Sequence, residues 1–284
     1  MGVESLRLRT LTAFLLAGGL AFFVGSGAPA QENSRHVEFN SLNASVVQQR
    51  LETVPRKPSE RRKVLEDLFG QAGCTDLSEQ RVPGSKEPNI ICAHDGEQPG
   101  VITVGAHYDA DSHGLGAVDD WSGAALLPSL YQSIENQPRR HRFVFVGFSA
   151  EESGLLGSGA YVKRLSKDDK ALLRAMVNLE CLGLTPPKVW VHRADKNLLQ
   201  AYLQVANALQ IPPVGVNVEQ VGDDDSHAFM NAKIPVITIH SVTQETWPIL
   251  HSGRDRIEAI NPEFYYTAYR LVVTYLAYLD SHLP

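Results

Sequence analysis

The chain has 284 residues, 43% of them hydrophobic and 20% charged, with 32 acidic against 26 basic side chains and a net charge of −6 at pH 7. That composition supports one sizeable folded core and excludes a disordered or fibrous chain. The acidic balance offers no basic patch, which excludes nucleic acid as a partner.

Residues 1–30 read as a signal peptide. Arg7 and Arg9 form a basic start, Leu11 to Val24 is apolar, and Ala28-Pro29-Ala30 is a small-residue cleavage site. The mature chain is expected to begin at Gln31 and to be secreted or periplasmic. The apolar run falls short of the roughly 20 residues that a membrane span needs, and no lipidation cysteine follows it, so no membrane anchor is expected. Residues 31–284 are expected to form one domain. Cys74 and Cys92 can pair in an exported protein if their strands are neighbours, leaving Cys181 as a buried thiol.

In chain order, Ser45 to Val54 and Ser59 to Ala72 have helical spacing. In the second, Val64, Leu65, Leu68 and Phe69 share a face, Ser59 is the expected cap and Gly73 the stop. Thr75–Val82 and Asn89–Ala93 read as strands joined through Pro83-Gly84, an antiparallel edge to the sheet. Val101 to His107 begins as an apolar β-branched run and ends in His107-Tyr-Asp109. A polar loop over 108–118 follows, and Asp119 is expected to lead into a helix reaching Ile134. Arg142–Phe148 is a strand whose end carries Glu151-Glu152, and Gly154 to Ser158 opens the next helix. Ala175–Leu179 is a strand ending at Glu180. Val189–Val191, a helix from Asp195 to Leu209 and the strand Val236–Ile239 come next. The loop 240–260 holds His251, and a long helix starts at Pro262. Strands alternate with helices throughout, which predicts an α/β fold: a single domain with a mostly parallel mixed sheet and helices on both faces.

Taken alone, His-x-Asp after a strand is most often a turn with a capping Asp, and paired acids at a helix entrance usually complement its dipole. Together the strand ends and loops bring out His107, Asp119, Glu151-Glu152, Glu180 and His251. This is a nitrogen and oxygen donor set suited to zinc. A carboxylate has two oxygens, so Asp119 is the natural bridge between two ions: His107 and Glu180 on one side, Glu152 and His251 on the other. Glu151 then has a free carboxylate to take a proton from the attacking water and return it to a leaving amine. Asp120 is expected to cap the helix rather than bind metal.

The segments Gly105-Ala-His-Tyr-Asp109, Asp119-Asp-Trp-Ser-Gly123, Phe148 to Ser158, Asn178-Leu-Glu-Cys-Leu-Gly183 and Leu250-His-Ser-Gly-Arg-Asp255 resemble, in order and spacing, the co-catalytic zinc exopeptidases of metallopeptidase family twenty-eight. That family includes bacterial aminopeptidases and the glutamate carboxypeptidase II type, and glutaminyl cyclases are similar to it. The resemblance covers about residues 60–280. It implies a zinc exopeptidase-like fold, with His107, Asp119, Glu152, Glu180 and His251 as zinc ligands and Glu151 as general base. It also implies that Asp109 orients His107 and that Asp255 is the acid following the last histidine. Asp225-Ser226-His227 looks like a family loop with its first two residues exchanged, which places His227 near substrate. Three positions depart from the pattern: Glu180 stands where most members have Asp, Leu250 where an aromatic residue is common, and Trp121 in place of a small residue.

The expected function is an exported zinc aminopeptidase with two ions and a peptide substrate. The alternative is a glutaminyl cyclase-like acyltransferase with a single zinc, disfavoured by the uninterrupted run from Glu151 to Ser158 and by Leu250. A non-catalytic binding module would not need all six donors intact. The loops 108–118 and 240–250 are expected to line the substrate pocket.

Overall fold

The computed structural model describes residues 2–6, 37–218 and 222–284. The expected leader falls mostly outside them, except that β1 (Gly2–Leu6) pairs antiparallel with β2 (Val37–Ser41) in a small separate sheet.

The main sheet contains β3 (Asp76–Gln80), β4 (Asn89–His94), β5 (Val101–His107), β6 (Arg142–Phe148), β7 (Leu173–Glu180), β8 (Lys188–Val189) and β9 (Val236–His240). Their spatial order is β3-β4-β6-β5-β7-β9-β8. The central four, β6-β5-β7-β9, run parallel, and antiparallel pairing at β3, β4 and β8 closes the two edges. From Ile102 to His107 and from Phe143 to Phe148 every residue is buried. A parallel sheet covered on both faces demands such unbroken apolar runs.

On one face pack α1 (Ala44–Glu52), α2 (Pro58–Gln71), α3 (Ser122–Ala124), α4 (Leu127–Ile134), α7 (Lys196–Ala208) and α9 (Pro262–His282), joined in one apolar cluster from Phe39 to Leu279. On the other, α5 (Leu156–Arg164) and α8 (Ser226–Asn231) contribute Tyr161, Val162 and Phe229 beside Phe148 and Met176, and α6 (Lys167–Leu172) leads into β7. A disulfide joins Cys74, just before β3, to Cys92 in β4, and Cys181 is free and buried.

Several boundaries differ from expectation. α2 is capped at Lys57 and has Pro58 in its first turn, so Ser59 lies inside it. Proline's fixed φ and missing N–H suit that first position better than a serine one residue later. The helix expected from Asp119 starts only at Ser122, because Asp119 (φ −109°, ψ 94°) and Asp120 (φ −127°, ψ 41°) are not helical and are joined by a cis peptide bond. The strand expected at 75–82 is shorter, and the one at 189–191 ends at Val189.

Candidate active site

The parallel strands deliver their carboxyl ends to one place, where open α/β sheets hold ligands. His107 is the last residue of β5. Glu151 and Glu152 follow β6, Glu180 ends β7, and the loop after β9 brings in His251. Ala150, Leu155, Cys181 and His251 all have positive φ, between 49° and 59°. Left-handed backbone at non-glycine residues is held only where the surroundings over-determine it, and such positions gather at functional sites.

Asp119 lies at the middle of the cluster. Its Oδ1 is 3.1 Å from His107 Nε2, and its Oδ2 is 3.1 Å from His251 Nε2. Glu180 Oε1 approaches His107 Nε2 at 3.5 Å, and Glu152 Oε2 approaches His251 Nε2 at 3.2 Å. Glu151 Oε2 stands 3.9 Å from His107 Nε2. Donor atoms lie within 4.8 Å of one another in four overlapping groups: His107 with Glu151 and Glu152, His107 with Asp120 and Glu180, Asp111 with Glu152 and His251, and Asp119 with Glu180 and Cys181.

So many acids in one buried place perturb one another. Burial, with Asp225, Glu180 and Asp119 nearby, pushes the Glu151 carboxyl up to about 10 against the opposing pull of His107. Burial and the Asp119 charge take Glu152 to about 7. Burial opposes ionisation of Asp119 too, but the rings of His107 and His251 outweigh it and hold that carboxyl well below the usual range. The Asp119 contact raises His251 to about 9. Among the described residues, the ion pairs of Asp119, Glu151, Glu152 and Glu180 are with these histidines. A cluster of four carboxylates and two imidazoles, buried at His107 and Asp119 and open at His251, with no lysine or arginine at ion-pair distance among the described residues, is chemically suited to a cation, and its hard oxygen and imidazole donors fit zinc.

A second layer fixes these side chains. Asp109 Oδ1 accepts from the Glu151 N–H at 3.0 Å and Oδ2 from the Glu152 N–H at 3.2 Å, while Oδ1 lies 3.5 Å from His107 Nδ1. One carboxylate therefore ties the two glutamate N–H groups together and lies beside the histidine. Asp255 receives the N–H groups of Val118 at 2.7 Å and Asp119 at 3.3 Å, holding the turn that presents Asp119. Asp120 Oδ1 accepts from Gly123 N and Cys181 N, so it ties the first turn of the helix to the end of β7, while the residue at the helix cap is Trp121 rather than the expected Asp120. The Asp111 N–H donates to Glu152 Oε1 at 3.0 Å.

Sequence reasoning missed Arg61. From α2 its buried guanidinium donates to the carbonyls of Tyr108, Asp109, Leu115 and Gly116, and it lies over the Trp121 ring at 5.5 Å. It also missed Asp225, fully buried and pushed up to about 8, chiefly by burial. Trp121 is buried in the core and does not narrow the site. A cleft of about 280 Å³ opens on Asp119, Glu151, Glu152, Glu180 and His251 and is walled by Trp190, Val242, Trp247 and Leu250. The loop 240–250 lines it as expected. The loop 108–118 does not, and Trp190 and the segment at Asp223 and Asp224 take that role instead. His227 is not in the lining and lies 2.6 Å from Asp223 Oδ2, through its Nδ1.

Fold and donor set together define an α/β protein with a cation-suited centre at the ends of its parallel strands. The chain belongs to Peptidase family M28, whose model matches residues 89–276. Aminopeptidase YwaD of Bacillus subtilis (strain 168) is 28% identical over 198 residues, which is 66% of this chain and 42% of the relative. The structure of BSAP, a zinc aminopeptidase from Bacillus subtilis, aligns with a TM-score of 0.62 at 26% identity, covering 67% of this chain and 49% of that one. Porphyromonas gingivalis glutaminyl cyclase shares the fold, with a TM-score of 0.66 at 20% identity over 82% of this chain and 96% of its own. The chain spans less than half the length of the first curated relatives that it matches.

Proposed function

We propose that this chain is an exported zinc-dependent aminopeptidase that hydrolyses the N-terminal bond of a peptide, with Glu151 as general base. The observation that carries the proposal is the two-sided environment of Asp119, whose two oxygens face different histidines at 3.1 Å each. His107, Asp119 and Glu180 would hold one zinc ion, and Asp119, Glu152 and His251 a second. Bound there, zinc supplies Lewis acidity to polarise a carbonyl and lower the pKa of water.

Glu151 takes no part in those two sets. Its carboxylate accepts a proton from the attacking water and returns it to the departing amine. Burial, helped by the neighbouring acids, favours the protonated form of Glu151 in the metal-free protein, and nearby positive charge favours the anion that a base must be. Asp109 holds Glu151 and Glu152 through their own N–H groups, so base and ligand keep a fixed relation. Trp190, Trp247 and Leu250 give one side of the cleft an apolar wall.

Export rests on Arg7, Arg9 and the Ala28-Pro29-Ala30 site. Cleavage there would remove β1, which among the described residues pairs with β2 outside the main sheet. N-terminal sequencing should find Gln31 first, and a retained Met1 in a membrane fraction would contradict this. For the activity, zinc content of the purified protein is measured alongside hydrolysis of aminoacyl anilides and conversion of an N-terminal glutamine peptide. Two zinc ions per chain with anilide hydrolysis is the expected result. One zinc, with glutamine cyclised and no anilide cleaved, would replace this reading by the glutaminyl cyclase.

A further inference from the structure

The cleft beside the acid and histidine centre has apolar walls, Trp190, Val242, Trp247 and Leu250, and two further acids, Asp223 and Asp224. Asp224 is closed off by burial, whereas Asp223 is 38% exposed but has Arg193 against one oxygen and His227 beside the other. Arg193 donates to Asp223 Oδ1, and the same nitrogen lies 3.8 Å from Asp224 Oδ1. The Arg193 guanidinium carbon sits 3.8 Å above the centre of the ring of Trp190, so it packs on a residue of the wall without itself being part of the lining. His227 Nδ1 is 2.6 Å from the other oxygen of Asp223. Asp224 is 1% exposed and receives the Thr238 hydroxyl at 2.7 Å, the Ser226 N–H at 3.0 Å and the Ser226 hydroxyl.

A cation entering an apolar cleft loses hydration and needs an opposite charge to replace it. Asp223 is the acid in this wall best placed to give one, and Arg193 already occupies it. We infer that Arg193 is a specificity-determining residue: by holding Asp223 it reserves the cleft for a large, uncharged apolar side chain at the substrate's N-terminal position. The inference rests on the aminopeptidase reading for which side chain enters the cleft. Replacing Arg193 with methionine would keep an apolar stem on Trp190 while leaving Asp223 to His227, free to pair with a lysyl side chain.

The test compares binding of two non-hydrolysable amino alcohols, leucinol and lysinol, to the zinc-loaded enzyme. Tryptophan fluorescence reports occupancy directly, because two of the three tryptophans line the cleft. Wild type should prefer leucinol by roughly tenfold, in the range that a hydrophobic pocket achieves. Arg193→Met should cut that preference by about tenfold, the lower end for a close charge pair. Asp223→Asn should keep the wild-type preference, and the double variant should return to it. Equal affinity for both alcohols in wild type, no binding of either, or an Arg193→Met ratio unchanged from wild type would each overturn the inference. Should leucinol be preferred but no aminoacyl anilide be cleaved, the peptidase reading falls while the assignment of Arg193 stands.

Discussion

Asp109→Ala is the perturbation that reaches most of the site through one side chain. The carboxylate accepts from the N–H groups of Glu151 at 3.0 Å and Glu152 at 3.2 Å and lies 3.5 Å from His107 Nδ1. Hydrogen bonds to a charged group contribute about 1.5–3 kcal/mol each, so losing two costs about 3–6 kcal/mol. A domain of this kind has about 5–15 kcal/mol in all, so the variant should fold but melt earlier. Loss of such an outer partner weakens metal affinity or activity about 10–100-fold. Asp109→Asn should fall between, because its amide oxygen can still accept from one of the two N–H groups. Urea unfolding of the chelated proteins gives the stability difference, and competition with a chelating dye gives the zinc affinity. An Asp109→Ala protein that is as stable as wild type and binds zinc within twofold of it would refute the reasoning.

The zinc-free protein should lose stability as pH rises from about 5 to 9. Glu152 is raised to about 7 and Glu151 to about 10 chiefly by burial, and His251 to about 9 by Asp119. Each keeps a proton in the folded state that the unfolded chain releases at lower pH, so folding is favoured below the unfolded values and less so above them. Asp119, held low, acts with the opposite sign but only in strong acid. Zinc requires deprotonated donors, so its stabilising effect should grow over the same range. Melting temperatures with and without zinc check both statements, and a chelated protein that gains stability toward pH 9 would contradict them. Reducing the Cys74–Cys92 bridge, 18 residues apart in sequence, should lower stability by about 3 kcal/mol on the loop-entropy account. Cys74→Ser measured by urea unfolding should show that loss, and an unchanged midpoint would set it aside.

The strands that carry the site were legible because each is an apolar run, with the donor at its end in β5 and β7 and in the loop that follows in β6 and β9. A parallel sheet with both faces covered leaves no other pattern. Asp119 was legible as a donor but not as backbone: the helical composition from Ser122 onward hid the non-helical turn before it. Pro58 was a readable first-turn signal that Ser59 obscured. Arg61 was not legible, because its partners lie far away in sequence; Asp225 was read only as part of a loop motif, and nothing in the spacing marked Trp190 as a cleft wall. Arg61 reaches carbonyls 47 to 55 residues away, and nothing in α2's spacing marks it as more than a charged helix residue. His227 looked like a substrate contact by its motif, yet it lies against Asp223 outside the cleft lining.

The central claim is that Glu151 moves protons while Glu152, its neighbour, holds metal. Glu151→Gln and Glu152→Gln, assayed for kcat on an aminoacyl anilide and for zinc stoichiometry on the same samples, test it most directly. Glu151→Gln should keep its zinc and lose about 10²–10⁴-fold in kcat, the usual contribution of general acid–base catalysis. Glu152→Gln should lose zinc as well as rate. A Glu151→Gln enzyme with near wild-type kcat, or one that has lost its zinc, would contradict the assignment.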